Sequence, residues 1–234
     1  MLKACLNGGR TRAEHPAVPV TPAELAGDAA RCAALGVAAV HVHPRDAAGA
    51  ESLAPGVIDA AVTALRAACP GLPVGVSTGA WIEPDPAARV AAVRAWRVLP
   101  DFASVNVHEA GAEQVAEALA ERGVGVEAGV WTVDAVAAYR RWRVPVLRVL
   151  VECLATEPAV ALTDASGILA ALPSDHPPVL LHAEGPAVWS ILDEAVERGL
   201  DTRIGLEDTL HLPDGAPAAD NAALVAAAAR RGAR

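Results

Sequence analysis

Eight short apolar runs alternate with eight alanine-rich amphipathic stretches along this chain, and that alternation restricts its possible folds more than any other feature. The strand-like runs are 3–7, 37–43, 73–78, 102–107, 125–130, 146–152, 178–183 and 202–207. They are rich in β-branched residues and bounded by Gly or Pro, as buried strands read. The stretches near 22–35, 55–68, 85–96, 111–122, 132–142, 157–171, 187–199 and 218–231 carry helical patterns. Thr21-Pro22-Ala23-Glu24 has a capping threonine, a proline in the first turn and a glutamate three residues on, the signature of a capping box. Gly36, Gly123 and Gly199 stand where helices end on a left-handed residue. Eight βα units predict an α/β fold, a single (βα)8 TIM barrel, with an open doubly wound sheet as the alternative. The strand count favours the barrel, and no strand carries GxGxxG or a P-loop. No linker or low-complexity segment interrupts 1–234, which predicts one domain with short loops.

Hydrophobic residues make up 53% of the 234, enough for a large core and too many for disorder. A net charge of −9 excludes a general nucleic-acid surface. It leaves room for a local cationic pocket, and Arg10, Arg12, Arg45 and Arg203 are candidates for one. Cys5, Cys32, Cys69 and Cys153 form no CxxC pair and sit in apolar contexts, so they read as small buried hydrophobes. The N-terminal residues carry no signal-peptide core, and no stretch is long and apolar enough to span a bilayer. A cytoplasmic protein is expected.

In barrels, chemistry gathers at the C-terminal ends of the strands. The second run ends His41-Val42-His43. Residues two apart on a strand share a face, so two imidazoles leave the same side, and imidazole is a common metal ligand. Two core histidines are the plain alternative. Closure of the barrel puts strand 8 beside strand 1, one strand from the histidines. There Arg203, Gly205 and Glu207 share a face, so Glu207 can supply a third ligand, with Asp208 a base beside the metal. Three protein ligands with open positions is a catalytic pattern. An internal Arg203–Glu207 ion pair is the competing reading. Strand 3 ends Ser77-Thr78-Gly79, which offers hydroxyl and N–H donors for a substrate oxygen or, alternatively, a simple capped turn. Ser104 and Asn106 share a face of strand 4. Strands 5, 6 and 7 contribute Glu127, Glu152 and His182-Ala183-Glu184. His108, Trp81 and Trp131 lie just past strand ends and could wall a pocket.

At these residues the sequence resembles the β-keto acid cleavage enzymes, the family of 3-keto-5-aminohexanoate cleavage enzyme. The resemblance runs through Asn7-Gly8-Gly9-Arg10-Thr11-Arg12, Pro19-Val20-Thr21-Pro22, His41-Val42-His43, Ser77-Thr78-Gly79, Asn106 and Arg203-Ile204-Gly205-Leu206-Glu207-Asp208, in family order. It implies a zinc-dependent barrel, usually oligomeric, that cleaves a β-keto acid with acetyl-CoA to give acetoacetate and a new acyl-CoA. By position it implies His41, His43 and Glu207 as zinc ligands, Asp208 as base, Arg203 as its support and Ser77 as a substrate contact, with Ser104 where some members have threonine. An active-site glutamate that some members carry in the loop after strand 1 falls at Gly9, and Glu14 lies further on. The stretch after strand 6 lacks the glycine-rich loop of the family. A metal-assisted aldolase or hydrolase acting on a small carboxylate without CoA is the runner-up. A barrel that only binds metal or a metabolite is the third reading.

Overall fold

Consecutive apolar runs joined by single helices can pair only in parallel, each beside its sequence neighbours, and a right-handed series of such units curls toward closure. The computed structural model, which describes all 234 residues, has this architecture. Its elements are β1 (Leu2–Cys5), α1 (Pro22–Ala33), β2 (Ala39–Val42), α2 (Pro55–Ala68), β3 (Val74–Ser77), α3 (Pro86–Ala95), β4 (Phe102–Asn106), α4 (Ala112–Glu121), β5 (Gly125–Val130), α5 (Val133–Tyr139), β6 (Arg148–Cys153), α6 (Pro158–Ala171), β7 (Val179–Ala183), α7 (Val188–Glu197), β8 (Thr202–Ile204) and α8 (Asn221–Arg230). All strand pairs are parallel, and β1 lies between β8 and β2. The seam between β7 and β8 is closed at Asp201, whose N–H donates to Val179 O and whose carbonyl accepts from Leu181 N–H. The fold is a (βα)8 barrel.

The capping box at Thr21 forms, with Glu24 N–H on the Thr21 hydroxyl at 3.3 Å and Thr21 N–H on the Glu24 carboxylate at 2.9 Å. Gly36, Gly123 and Gly199 all take positive φ at helix ends. The outward faces of the strands, such as Val40, Val42, Val74, Val76 and Val105, pack on Leu25, Ile58, Val62, Leu65, Val115 and Leu119 of the helices. Each such fully buried side chain contributes about 1.5–3 kcal/mol. All four cysteines are buried and free. No helix is long and apolar enough to cross a membrane.

The inward faces form two contrasting layers. At the N-terminal end, Lys3 Nζ meets Glu127 Oε2 at 2.6 Å, and Glu127 Oε1 meets Arg148 Nη1 at 2.6 Å. Arg148 Nε continues to Asp201 Oδ2 at 3.1 Å. Glu127, which the sequence groups with the strand-end polar residues, therefore belongs to the floor of the barrel. Phe102 fills the space left by Gly75, where a Cβ would lie 1.9 Å from the ring, and Lys3 Nζ stands 5.2 Å from the Phe102 centroid. The opposite, C-terminal layer holds the histidines.

One element differs from expectation. The eighth run reads as a strand to residue 207, yet β8 ends at Ile204. Gly205 packs directly on β1, where a Cβ would fall 1.8 Å from Cys5 O. The next N–H, Leu206, is taken by Asn221 Oδ1 at 2.7 Å rather than by the sheet ladder. Glu207 and Asp208 thus project from a turn.

Candidate metal centre and active site

The turn after β8 brings Glu207 over the end of β1. Gly8 makes this possible: its φ is +49°, and a Cβ there would lie 2.4 Å from Glu207 Cγ. His41 and His43 rise from β2 and the residue just past it. Their Nε2 atoms are 3.1 Å apart. His41 Nε2 is 4.0 Å from Glu207 Oε1, and His43 Nε2 is 3.7 Å from Glu207 Oε2. All three residues are buried, and Glu207 Oε2 has no hydrogen-bond partner. Ligands of a tetrahedral zinc stand about 3.3 Å apart, so donors at these separations fit one small divalent ion. Burial, reinforced by the neighbouring His43, Lys3 and Arg203, holds His41 well below its usual pKa, so its ring is neutral as a ligand must be.

The backbone of His43 is gripped by Asn7. Its amide donates to His43 O at 2.8 Å and accepts from His43 N–H at 2.8 Å, extending the β1–β2 pairing by one side chain. His43 Nδ1 contacts Glu51 Oε1, and Trp81 Nε1 donates to the same oxygen at 3.3 Å. Arg203 Nη2 holds both neighbouring acids, Glu207 Oε1 at 3.0 Å and Asp208 Oδ1 at 2.7 Å. Asp208 is fully buried. Burial pushes its carboxyl well above the usual range, Arg203 opposes the shift, and the nearby Glu207 and Glu184 add to it.

Beside these residues lies a cavity of about 460 Å³ lined by His41, His43, Glu207, Arg203, Ser77, Ser104 and Asn106. Asp208 sits behind Arg203 and Glu207 rather than on the wall. Thr78 also faces away, its hydroxyl donating to Ser104 O at 2.7 Å. Gly79 supports the wall indirectly by leaving room for the Trp81 ring. Asn106 is fixed by Glu109, which accepts from its amide at 2.9 Å and pairs with the buried Arg89 at 2.5 Å. On the β6–β7 side stand Glu152 and Glu184. Burial raises Glu152 from 4.5 to about 7, with Arg203 opposing and Glu184 and Glu207 reinforcing. Below it, His182 is buried with no partner on either ring nitrogen, the nearest acid oxygen being Glu152 Oε2 at 3.8 Å. His108 packs against Trp131, with ring centroids 4.3 Å apart.

The arginines near the mouth do not form a free cationic patch. Arg10 pairs with Glu14 and Arg12 with Glu24. Arg45 donates to the carbonyls of Gly8, Arg10 and Gly49 and so clamps the β1 loop. At Gly9 a Cβ would stand 3.7 Å from Glu51 Oε2, so a carboxylate from the loop after β2 occupies that neighbourhood.

Glu51, the Arg89–Glu109 pair and Asn221 are supports that the strand-end reading does not identify, while Asn7, which it does name, holds the His43 backbone. One signal for Glu51 exists in the sequence. Asp46-Ala47-Ala48-Gly49 is a turn, and it returns the chain so that Glu51 bridges Arg45, two residues past His43.

Solved structures with the same fold include 3-dehydroquinate dehydratase from Geobacillus kaustophilus HTA426, with a TM-score of 0.60, 11% identity and coverage of 92% of this chain and 86% of that one. The N-acetylmannosamine-6-phosphate 2-epimerase from Clostridium perfringens gives a TM-score of 0.59 at 12% identity, covering 89% and 87%. A structure described as native KDPGal gives 0.59 at 19% identity, covering 99% and 95%. At these identities the likeness establishes the barrel alone. The family model for the beta-keto acid cleavage enzymes matches residues 1–234, the whole chain, and the protein belongs to that family.

Proposed function

We propose that this enzyme transfers the acyl group of a β-keto acid to CoA, with acetyl-CoA as co-substrate and zinc held by His41, His43 and Glu207. The observation that carries the metal assignment is the convergence of three buried donor atoms, one of them a carboxylate oxygen with no other partner. Bound there, zinc supplies Lewis acidity toward the ketone and carboxylate oxygens of the keto acid. The chain's own residues do the rest. Ser77, Ser104 and Asn106 line the same cavity from β3 and β4 and orient the substrate by hydrogen bonds. Thr78 and Gly79 shape that wall from behind.

Asp208 and Arg203 act as a unit. Asp208, held by Arg203 behind the cavity wall, is the base for the proton on the carbon between the keto and carboxylate groups, and it takes that proton by coming forward past Arg203 and Glu207 when substrate fills the cavity. The enolate carbon attacks the acetyl thioester carbonyl and expels the CoA thiolate. The thiolate then adds to the original ketone carbon, and the bond between that carbon and the former α carbon breaks. The products are acetoacetate and a new acyl-CoA, with the proton returned by Asp208. Asp208→Asn is expected to retain zinc and to lose turnover by about 10²–10⁴-fold, measured by metal content and steady-state assay of the same sample. Near-normal turnover would move the base elsewhere, with the cavity-lining Glu184 next.

The engagement of Arg10, Arg12 and Arg45 within the protein favours a second reading, in which the same site works without CoA as an aldolase or hydrolase. Acetyl-CoA labelled in the acetyl group separates the two. The label is expected in acetoacetate; cleavage at equal rate without any thioester overturns the acyl-transfer reading. Assembly as a homo-oligomer in the cytoplasm accompanies the proposal, since a neighbouring subunit could complete the nucleotide surface that this chain does not supply alone.

A further inference from the structure

We propose that Glu51 is a positioning residue that fixes His43 in the tautomer with its proton on Nδ1, so that the Nε2 lone pair faces His41 and Glu207. The inference rests on the metal reading above. A neutral imidazole carries one N–H, and either ring nitrogen can hold it. With the proton on Nε2, His43 would have no lone pair to offer the cluster. A carboxylate only accepts hydrogen bonds when ionised, and Glu51 Oε1 lies against Nδ1, so the Nδ1–H tautomer is the one that satisfies both groups.

The loop is built to deliver this contact. After Pro44 the chain forms a small hairpin: Asp46 N–H bonds Ala50 O at 2.8 Å, Gly49 N–H bonds Asp46 O at 3.0 Å and Ser52 N–H bonds Pro44 O at 3.0 Å. Arg45 and Glu51 face each other across it. Arg45 anchors the hairpin to the β1 loop through the carbonyls of Gly8 and Arg10 and braces its turn through that of Gly49. Trp81 closes the other side. Its ring lies nearly parallel to His43, 21° off at 6.2 Å, and its N–H holds the Glu51 oxygen. Together with the Asn7 grip on its backbone, His43 has its main chain, ring angle and proton all assigned by neighbours. His41 differs: its Nδ1 is buried with no partner. Orientation of the donor pair therefore depends on His43, and through it on Glu51.

The test uses the full chain stripped of metal and titrated with Zn²⁺ against a chromogenic chelator, for wild type, Glu51→Gln, Glu51→Ala and Trp81→Phe. Loss of an orienting partner of this kind weakens metal binding by about 10–100-fold. Glu51→Ala is expected in that range, Glu51→Gln between it and wild type, and Trp81→Phe nearest to wild type. Imidazole ¹⁵N shifts of the metal-free protein provide a reading that a merely structural role would not move. His43 should be protonated on Nδ1 in wild type and mixed between tautomers in Glu51→Ala, with the melting temperature of the metal-free form unchanged. Wild-type zinc affinity and an unmixed tautomer in Glu51→Ala overturn the proposal. If the wild type itself takes up no zinc, the metal reading fails separately, and the ¹⁵N tautomer ratio alone decides whether Glu51 sets His43.

Discussion

At the floor of the barrel, Lys3, Glu127, Arg148 and Asp201 are joined into a chain of ion pairs, each carboxylate or cation meeting a partner at 2.6–3.1 Å. At the mouth, one guanidinium, Arg203, serves two acids as ion-pair partner, while Glu207 Oε2, Asp208 Oδ2, His41 Nδ1 and both ring nitrogens of His182 are buried without hydrogen bonds. Both layers are buried and both are ionic. The floor has balanced its charges internally and asks for nothing further. The mouth leaves donors and acceptors unmatched, and one of them, Glu207 Oε2, belongs to a residue that lines the cavity. A folded chain tolerates such a deficit where a ligand or ion completes the site, because an unpaired buried polar group otherwise costs about 1–3 kcal/mol. Pairing, rather than the presence of charge, separates scaffold from site.

Substitutions can break this contrast. The largest effect is expected from His41→Ala, which removes a donor from the deficient layer. Metal content should fall to background and turnover by about 10³-fold or more, the kinetic equivalent of the several kcal/mol that a Lewis-acid ion supplies. The unfolding midpoint of the metal-free variant should stay close to that of metal-free wild type, because the floor is untouched. A variant that keeps its metal would show that the donors do not act together.

Lys3→Met should do the reverse. It leaves Glu127 with Arg148 alone in a fully buried setting, and breaking such a network costs about 3 kcal/mol. Denaturant unfolding should show that loss, while zinc content and turnover of the folded fraction remain. Equal losses of stability and metal would merge the two layers into one.

The smallest effect sharpens the comparison by pH. Glu152 lies at the mouth with its carboxyl raised from 4.5 to about 7 by burial. The folded state then binds a proton more tightly than the unfolded state, so the neutral acid's advantage is complete below pH 4.5 and is lost as pH rises to about 7. Glu152→Gln, neutral at every pH, should therefore match wild type near pH 4 and exceed it by about 3 kcal/mol at pH 8. Equal stability at both pH values would place Glu152 in a setting as well solvated as water.

The barrel is legible in the sequence because each βα unit repeats the same apolar periodicity, and the donors are legible because strand ends are where that periodicity meets polar residues. His41, His43 and Glu207 converge as the strand order requires, although Glu207 projects from a turn because Gly205 and Asn221 end β8 early. The supports are less legible. Asn7 and Asn221 replace ladder hydrogen bonds with side-chain amides, and Arg89 reaches Glu109 from a helix. Nothing local announces such contacts, since they depend on how loops pack after the barrel closes. The Lys3–Glu127 pair goes unread for the same reason: Glu127 stands in the sequence among the strand-end acids, and only the register of β5 puts it at the floor.

Asn221 on α8 donates to Leu6 O just past β1 at 2.8 Å and to Asp28 on α1 at 2.6 Å while its oxygen receives the Leu206 N–H. One amide thus latches the first βα unit to the last. A nascent chain that has emerged only through β7 carries both histidines but neither their carboxylate nor this latch. The three side chains of the cluster therefore come together only after the last strand has joined the first.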